Sequence, residues 1–172
     1  MRFKFAIAIA VLLTASLAFA QKVNTDYDHN FDFSSVHTFA VEFATPWGNQ
    51  LQQERAKADI VSQLTAKGWT QAPDAASADV LVAIHGAVNQ QKSLDTFYSG
   101  GGWGWGGGMA QTHENTVNVG TMVVDLLNTH TKKLLFRGTA TDQLSTKPEK
   151  NTEKLDKALE KMFKDFPPKP KG

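Results

Sequence analysis

Between Gly120 and Ala140 the chain reads GTMVVDLLNTHTKKLLFRGTA, two apolar runs joined by a short polar segment. Runs of this length, rich in Val, Leu and Thr and bounded by turn residues, predict two strands of one hairpin. Asn128 to Lys132 supplies the turn, because an Asn side chain hydrogen-bonds the backbone just after it. Val117 and Val119 fall on one alternating set and Met122, Val124 and Leu126 on the other, so a bulge or sharp twist is expected at Gly120. Leu134 and Phe136 share a face of the returning strand with Arg137 on the other, and Gly138 eases its curvature. An apolar hairpin of this kind must be covered, and the rest of the chain is read as its cover and its neighbours.

Two amphipathic segments can provide the cover. Leu155, Ala158, Leu159, Met162, Phe163 and Phe166 recur at helical spacing and form one apolar stripe, which Pro167 and Pro168 terminate. Thr146 with Glu149 resembles a capping box for this helix, and Asn151 is a rival cap. An earlier helix is expected from about Gln50 to Lys67, capped by Asn49 and ended by Gly68, with Leu51, Ala58, Val61 and Leu64 as its stripe and Ile60 beside it.

Further strands are expected at Val23 to Tyr27 and Val36 to Phe43, where Phe39, Val41 and Phe43 alternate with smaller or polar residues. Phe31 and Phe33 would cover the core edge between those two strands. In Asp79 to Val88 both alternating sets are apolar, the pattern of an interior strand. The expectation is therefore an α+β fold: a single mixed or mostly antiparallel sheet of about five strands, with the two helices packed on one face.

Between the interior strand and the hairpin lies the sequence Tyr98-Ser99-Gly100-Gly101-Gly102-Trp103-Gly104-Trp105-Gly106-Gly107-Gly108-Met109. Glycine leaves the backbone unrestrained, so this stretch predicts an exposed loop displaying Tyr98, Trp103 and Trp105. Aromatics on such a loop stack on sugar rings or insert at a protein surface. Gly102, Gly104 and Gly107 satisfy GxGxxG, yet a dinucleotide site needs a helix after the glycines, and here a β-rich stretch comes next.

At the start, Arg2 and Lys4 precede an apolar run from Phe5 to Phe19 that ends in Ala18-Phe19-Ala20. This is the pattern of a secretory signal peptide over residues 1–20, cleaved before Gln21 and too short to span a bilayer. One domain over residues 21–166 and a tail over 167–172 would follow, in a periplasmic or secreted protein with no transmembrane segment after cleavage. There is no cysteine among the 172 residues, so the chain cannot be lipidated on cysteine or stapled by disulfides. Without Arg2 and Lys4 the 18 basic residues fall to 16 against 17 acidic ones, a formal charge of −1, and no nucleic-acid footprint remains.

The residues offer no catalytic, metal or cofactor signature. His29, His37, His85, His113 and His130 are scattered, with no HExxH and no i,i+4 pair. A GxSxG elbow is absent, and no cysteine nucleophile exists. Asp125 is the acid best placed on a structured element, expected to point outward or to bond the hairpin turn, and His85 is read as a structural or loop-facing histidine.

Several blocks together resemble the bacterial envelope family known as domain of unknown function 4136. They are Asp26-Tyr27-Asp28, Asp32-Phe33-Ser34 and Thr38-Phe39; then Ala78-Asp79-Val80-Leu81-Val82; then Gly120 to Asp125 leading to Lys133 to Gly138; and finally Phe166-Pro167-Pro168. The resemblance implies export, often as a lipoprotein, and supplies no catalytic residue to carry over. Lacking the lipidated cysteine, this chain is expected in a soluble periplasmic form. The leading functional expectation is a non-enzymatic binding or accessory module that contacts an unknown envelope protein or glycan. A carboxylate-dependent hydrolase with an unrecognised site and a structural component of an envelope assembly are the alternatives.

Overall fold

The computed structural model describes residues 21–45, 47, 49–99 and 109–168, with backbone alone over 93–99 and 109–115. The predicted signal segment, Trp103 and Trp105 lie outside the described residues. The chain runs β1 (Lys22–Tyr27), β2 (Thr38–Thr45), α1 (Gln50–Ala66), β3 (Thr70–Gln71), β4 (Val80–Ser99), β5 (Met109–Asn128), β6 (Leu134–Gln143) and α2 (Pro148–Phe163). Six strands form one mixed sheet in the order β1-β6-β5-β4-β2-β3, one more than expected because two residues after α1 add a short edge strand. β2 runs parallel to β4 with α1 as the crossover, and β4, β5, β6 and β1 pair antiparallel.

Both helices lie on one face of this sheet. Ile60 and Leu64 of α1 and Ala158, Leu159, Met162 and Phe163 of α2 join one apolar cluster with alternate sheet residues, among them Phe39, Val80, Val82, Ile84, Met122, Val124 and Leu126. The α2 stripe is as the periodicity predicts, but its start is not: Pro148 takes the first turn, Lys147 gives no side-chain cap, and Asn151 bonds back to the Ser145 backbone instead. In α1, Asn49 does cap, accepting from Leu51 N–H at 2.8 Å. Its buried stripe, however, is Ala56, Ile60 and Leu64, with Leu51 66% exposed. The apolar residues of α1 are too sparse to fix its rotation by periodicity, and packing against the sheet and α2 decides it.

Three glycines of the helix-covered face act as notches. A Cβ on Gly86 would run into the Trp47 ring, one on Gly120 into Leu144 and one on Gly138 into the Met162 thioether. Pairing of β4 with β5 continues through Gly120 without interruption, so the expected bulge is not there. It lies on β6, where Leu126 pairs with Phe136 but Leu127 pairs with Leu134, leaving Leu135 as the extra residue. Leu135 and Phe136 are therefore both buried, while Leu134 is 40% exposed, not inward as alternation predicted.

Phe31 and Phe33 do close the core edge, but not between adjacent strands, since β1 and β2 lie at opposite sides of the sheet. Their segment crosses under the core, where Phe33 meets Phe166 edge to face at 5.5 Å. Asp79 fastens the start of β4 to β2, accepting from the N–H groups of His37 and Thr38. Those backbone donors hold its carboxyl below the usual range.

Candidate functional site

The longest elements are β4 and β5, and they form an arm. β2 accompanies β4 only as far as the pair Thr45 and His85, and β6 accompanies β5 only as far as Gln143 and Val119. From Gln91 opposite Val117 to Ser99 opposite Met109, nine residue pairs continue with neither outer edge paired among the described residues. At about 3.4 Å per residue the arm reaches about 30 Å past its neighbours. Tyr98 belongs to β4, opposite Ala110, and Met109 opens β5, so both ends of the loop expected from Tyr98 to Met109 are strand, while residues 100–108 lie outside the described residues. The GxGxxG glycines lie outside the described residues, and what flanks them is an antiparallel strand pair, where a dinucleotide site has a strand before the glycines and a helix after them. Polar runs such as Asn89-Gln90-Gln91-Lys92 hid the arm from sequence reasoning, because they lack the apolar alternation of a half-buried strand.

On the helix-free face, a polar row crosses the sheet. Register sets Glu42 beside Ala83, Asp125 beside Arg137, and Arg137 beside Asp26. Asp125 is only 5% exposed, and the Arg137 Nε and Nη2 atoms donate to its two oxygens at 2.6 Å each. This bond and the adjacent negative charge push the Arg137 guanidinium further up. Asp125 thus neither points outward nor bonds the turn, since Asn128 caps the turn by accepting from the N–H groups of His130 and Thr131. His85 Nε2 lies 3.7 Å from Asp125, and its Nδ1 is 3.3 Å from Thr45 Oγ1. Thr45, His85 and Asp125 are in the order of a nucleophile, base and orienting carboxylate, but Arg137 has already taken both carboxylate oxygens. Their arrangement makes a locked ion pair with a half-exposed imidazole beside it.

On the helix side, Trp47, Met122, Ala140, Leu144, Leu155 and Ala158 line a half-open pocket of about 130 Å³. At its rim Lys154 Nζ donates to Asp142 at 3.2 Å and to the Gln143 carbonyl at 2.6 Å. Between the helices, Asp59 of α1 faces Asp156 of α2 in a groove also lined by Glu153, Lys157 and Glu160. Partial burial, then the hydrogen bond and like charge of Asp156, push the Asp59 carboxyl up to about 6. Among the described residues, no group of three or more His, Asp or Glu side chains is placed to hold a metal ion. No helix there is long and apolar enough to cross a membrane.

No curated protein matches the chain. Among solved structures, it is similar to a PDZ domain protein from Parabacteroides distasonis, with 16% identity, a TM-score of 0.57 and coverage of 87% of this chain and 36% of that one. The chain therefore spans about a third of that protein. It is similar also to a DUF4136 family protein from Bacteroides thetaiotaomicron, with 17% identity, a TM-score of 0.56 and coverage of 86% and 96%. At these identities the likeness is one of fold. The family profile described as Domain of unknown function (DUF4136) matches residues 23–168, nearly the whole chain beyond the predicted signal, and the chain belongs to that family.

Proposed function

We propose that the chain is an exported, non-enzymatic binding or accessory module of the bacterial envelope, and that the β4–β5 arm carries the surface that meets its partner, an envelope protein or a glycan. The observation behind this reading is the arm itself. A sheet that needed only to be stable would end its strands together, whereas here two strands continue for nine pairs and lead into the segment holding Trp103 and Trp105. The predicted signal peptide supplies the compartment.

The test is capture on purified cell-wall glycan and on detergent-extracted envelope proteins, comparing wild type with a Trp103→Ala, Trp105→Ala double variant of unchanged melting temperature. The expected result is at least a tenfold loss of one class of captured partner. Identical captures would remove the tip from the function.

A second reading, hydrolysis by a carboxylate pair, has one observation in its favour: Asp59 and Asp156 face each other, with the Asp59 carboxyl raised to about 6. Turnover of chromogenic glycosides that disappears in both Asp59→Asn and Asp156→Asn would support it.

A further inference from the structure

We propose that the outer edge of β5 in the arm is a pairing edge for a second copy of this chain, joining two arms into one four-stranded antiparallel ribbon. The inference goes beyond the partner-binding role above and does not depend on Trp103 or Trp105.

The direction of the edge is set by one hydrogen bond. The Asn118 carbonyl accepts from Leu144 N–H at 2.7 Å, so the backbone groups of Asn118 point toward β6 and away from β4. Successive residues of a strand alternate in this respect. Thr116, Glu114, Thr112 and Ala110 therefore present their N–H and C=O groups to the same side, beyond the end of β6, where no described strand pairs with them.

Exposed edges are normally blunted by proline, by charged side chains, lysine above all, or by a bulge. From Met109 to Val117 the sequence is MAQTHENTV, with no proline or lysine and Glu114 as its one acid, and β5 pairs with β4 in unbroken register throughout. The β4 side of the arm does carry a lysine, Lys92. A ribbon of two strands is also marginal in water by itself, whereas four strands satisfy the inner backbone groups on both sides.

The segment matches itself. In an antiparallel pair, residues that face each other must present their backbone groups the same way, so even-numbered positions oppose even-numbered ones. Centred on His113, this register uses all nine residues. It sets Met109 opposite Val117, Ala110 opposite Thr116, Gln111 opposite Asn115 and Thr112 opposite Glu114. Glu114 thus avoids its own symmetry mate, which it would meet if the register slipped by one residue of the same class. Each His113 has Asp95 of its own β4 on its other side. Because the contact lies beyond the ends of β2 and β6, the two bodies sit at opposite ends of the ribbon, clear of each other.

Sedimentation of the purified chain across a hundredfold range of concentration tests the proposal. Wild type is expected to reach twice the mass of the single chain as purified. A Thr112→Pro, Thr116→Pro double variant removes donors from the outer edge alone, since those N–H groups do not serve the β4 ladder. It is expected to raise the dissociation constant by on the order of a hundredfold or more. Thr112→Ala, Thr116→Ala keeps the N–H groups and is expected to stay paired, and equal melting temperatures show that all three are folded. A single-chain mass for wild type at every concentration, a proline variant that still pairs, or an alanine variant that falls apart would each overturn the proposal.

Discussion

The two halves of β4 are one strand under opposite conditions. From Val80 to His85 it lies between β2 and β5, and Val80, Val82 and Ile84 are sealed beneath the helices. From Gln91 to Ser99, β5 is its one paired strand among the described residues. Burial of apolar side chains holds the first half, at roughly 25 cal/mol per Å² removed from water. Among the described residues the ladder to β5 holds the second, the sort of local structure that opens at low free energy. The body and the arm are therefore held by different forces, and substitutions should separate the two.

The largest effect should come from the body. Phe163→Ala removes a fully buried ring that stacks on Phe136 and meets Phe166 edge to face, and should destabilise the fold by about 3–5 kcal/mol in denaturant titration. Next is the polar row of the other face. Arg137→Ala leaves Asp125 without its bidentate partner, and because the arginine is half exposed the loss should be about 2 kcal/mol. Asp125→Asn combined with Arg137→Ala should recover part of it, and a double variant no better than the single would break the idea that the stranded carboxylate carries the loss.

Smaller still is a pH effect between the helices. The Asp59 carboxyl lies at about 6 in the folded chain against an ordinary 3.8, so folding favours its protonated form. That stabilisation is complete below about pH 4 and is lost as pH rises through about 6. Asp59→Asn should flatten the decline in melting temperature across that window and raise it at pH 7, with Asp156, Glu153, Lys157 and Glu160 unchanged as the facing groups. Least of all should be felt at the tip. Replacing residues 100–108 by Asn-Gly, which closes a two-residue hairpin, should move the melting temperature by no more than about 2 °C. A large fall would show that the arm belongs to the stable body.

Where apolar residues were dense, the sequence was legible. The α2 stripe, the interior character of Val80 to Ile84 and the Asn128 turn all come from spacing and side-chain type, and the α+β class rests on them. What escaped was set by partners distant in the chain. Asp125 and Arg137 are both polar residues in apolar strands, and only the register, displaced by one residue at Leu135, shows that they face each other. The arm escaped because its stability does not come from the alternating burial by which strands are recognised. Asp59 reads as one more solvated helix residue until α2 brings Asp156 against it.

Leu135 has one more consequence. Since Leu134 pairs with Leu127 and Phe136 with Leu126, the leucine between them has no opposite number, and removing it would leave every other partnership on β6 as it is. Two leucines stand in a row at this point, so loss of either yields the same shortened chain. The hairpin thus has slack of one residue beside its turn. A shortened chain would give up one buried side chain and the bond from Asp28 N–H to the Leu135 carbonyl, and would still bring Arg137 to Asp125.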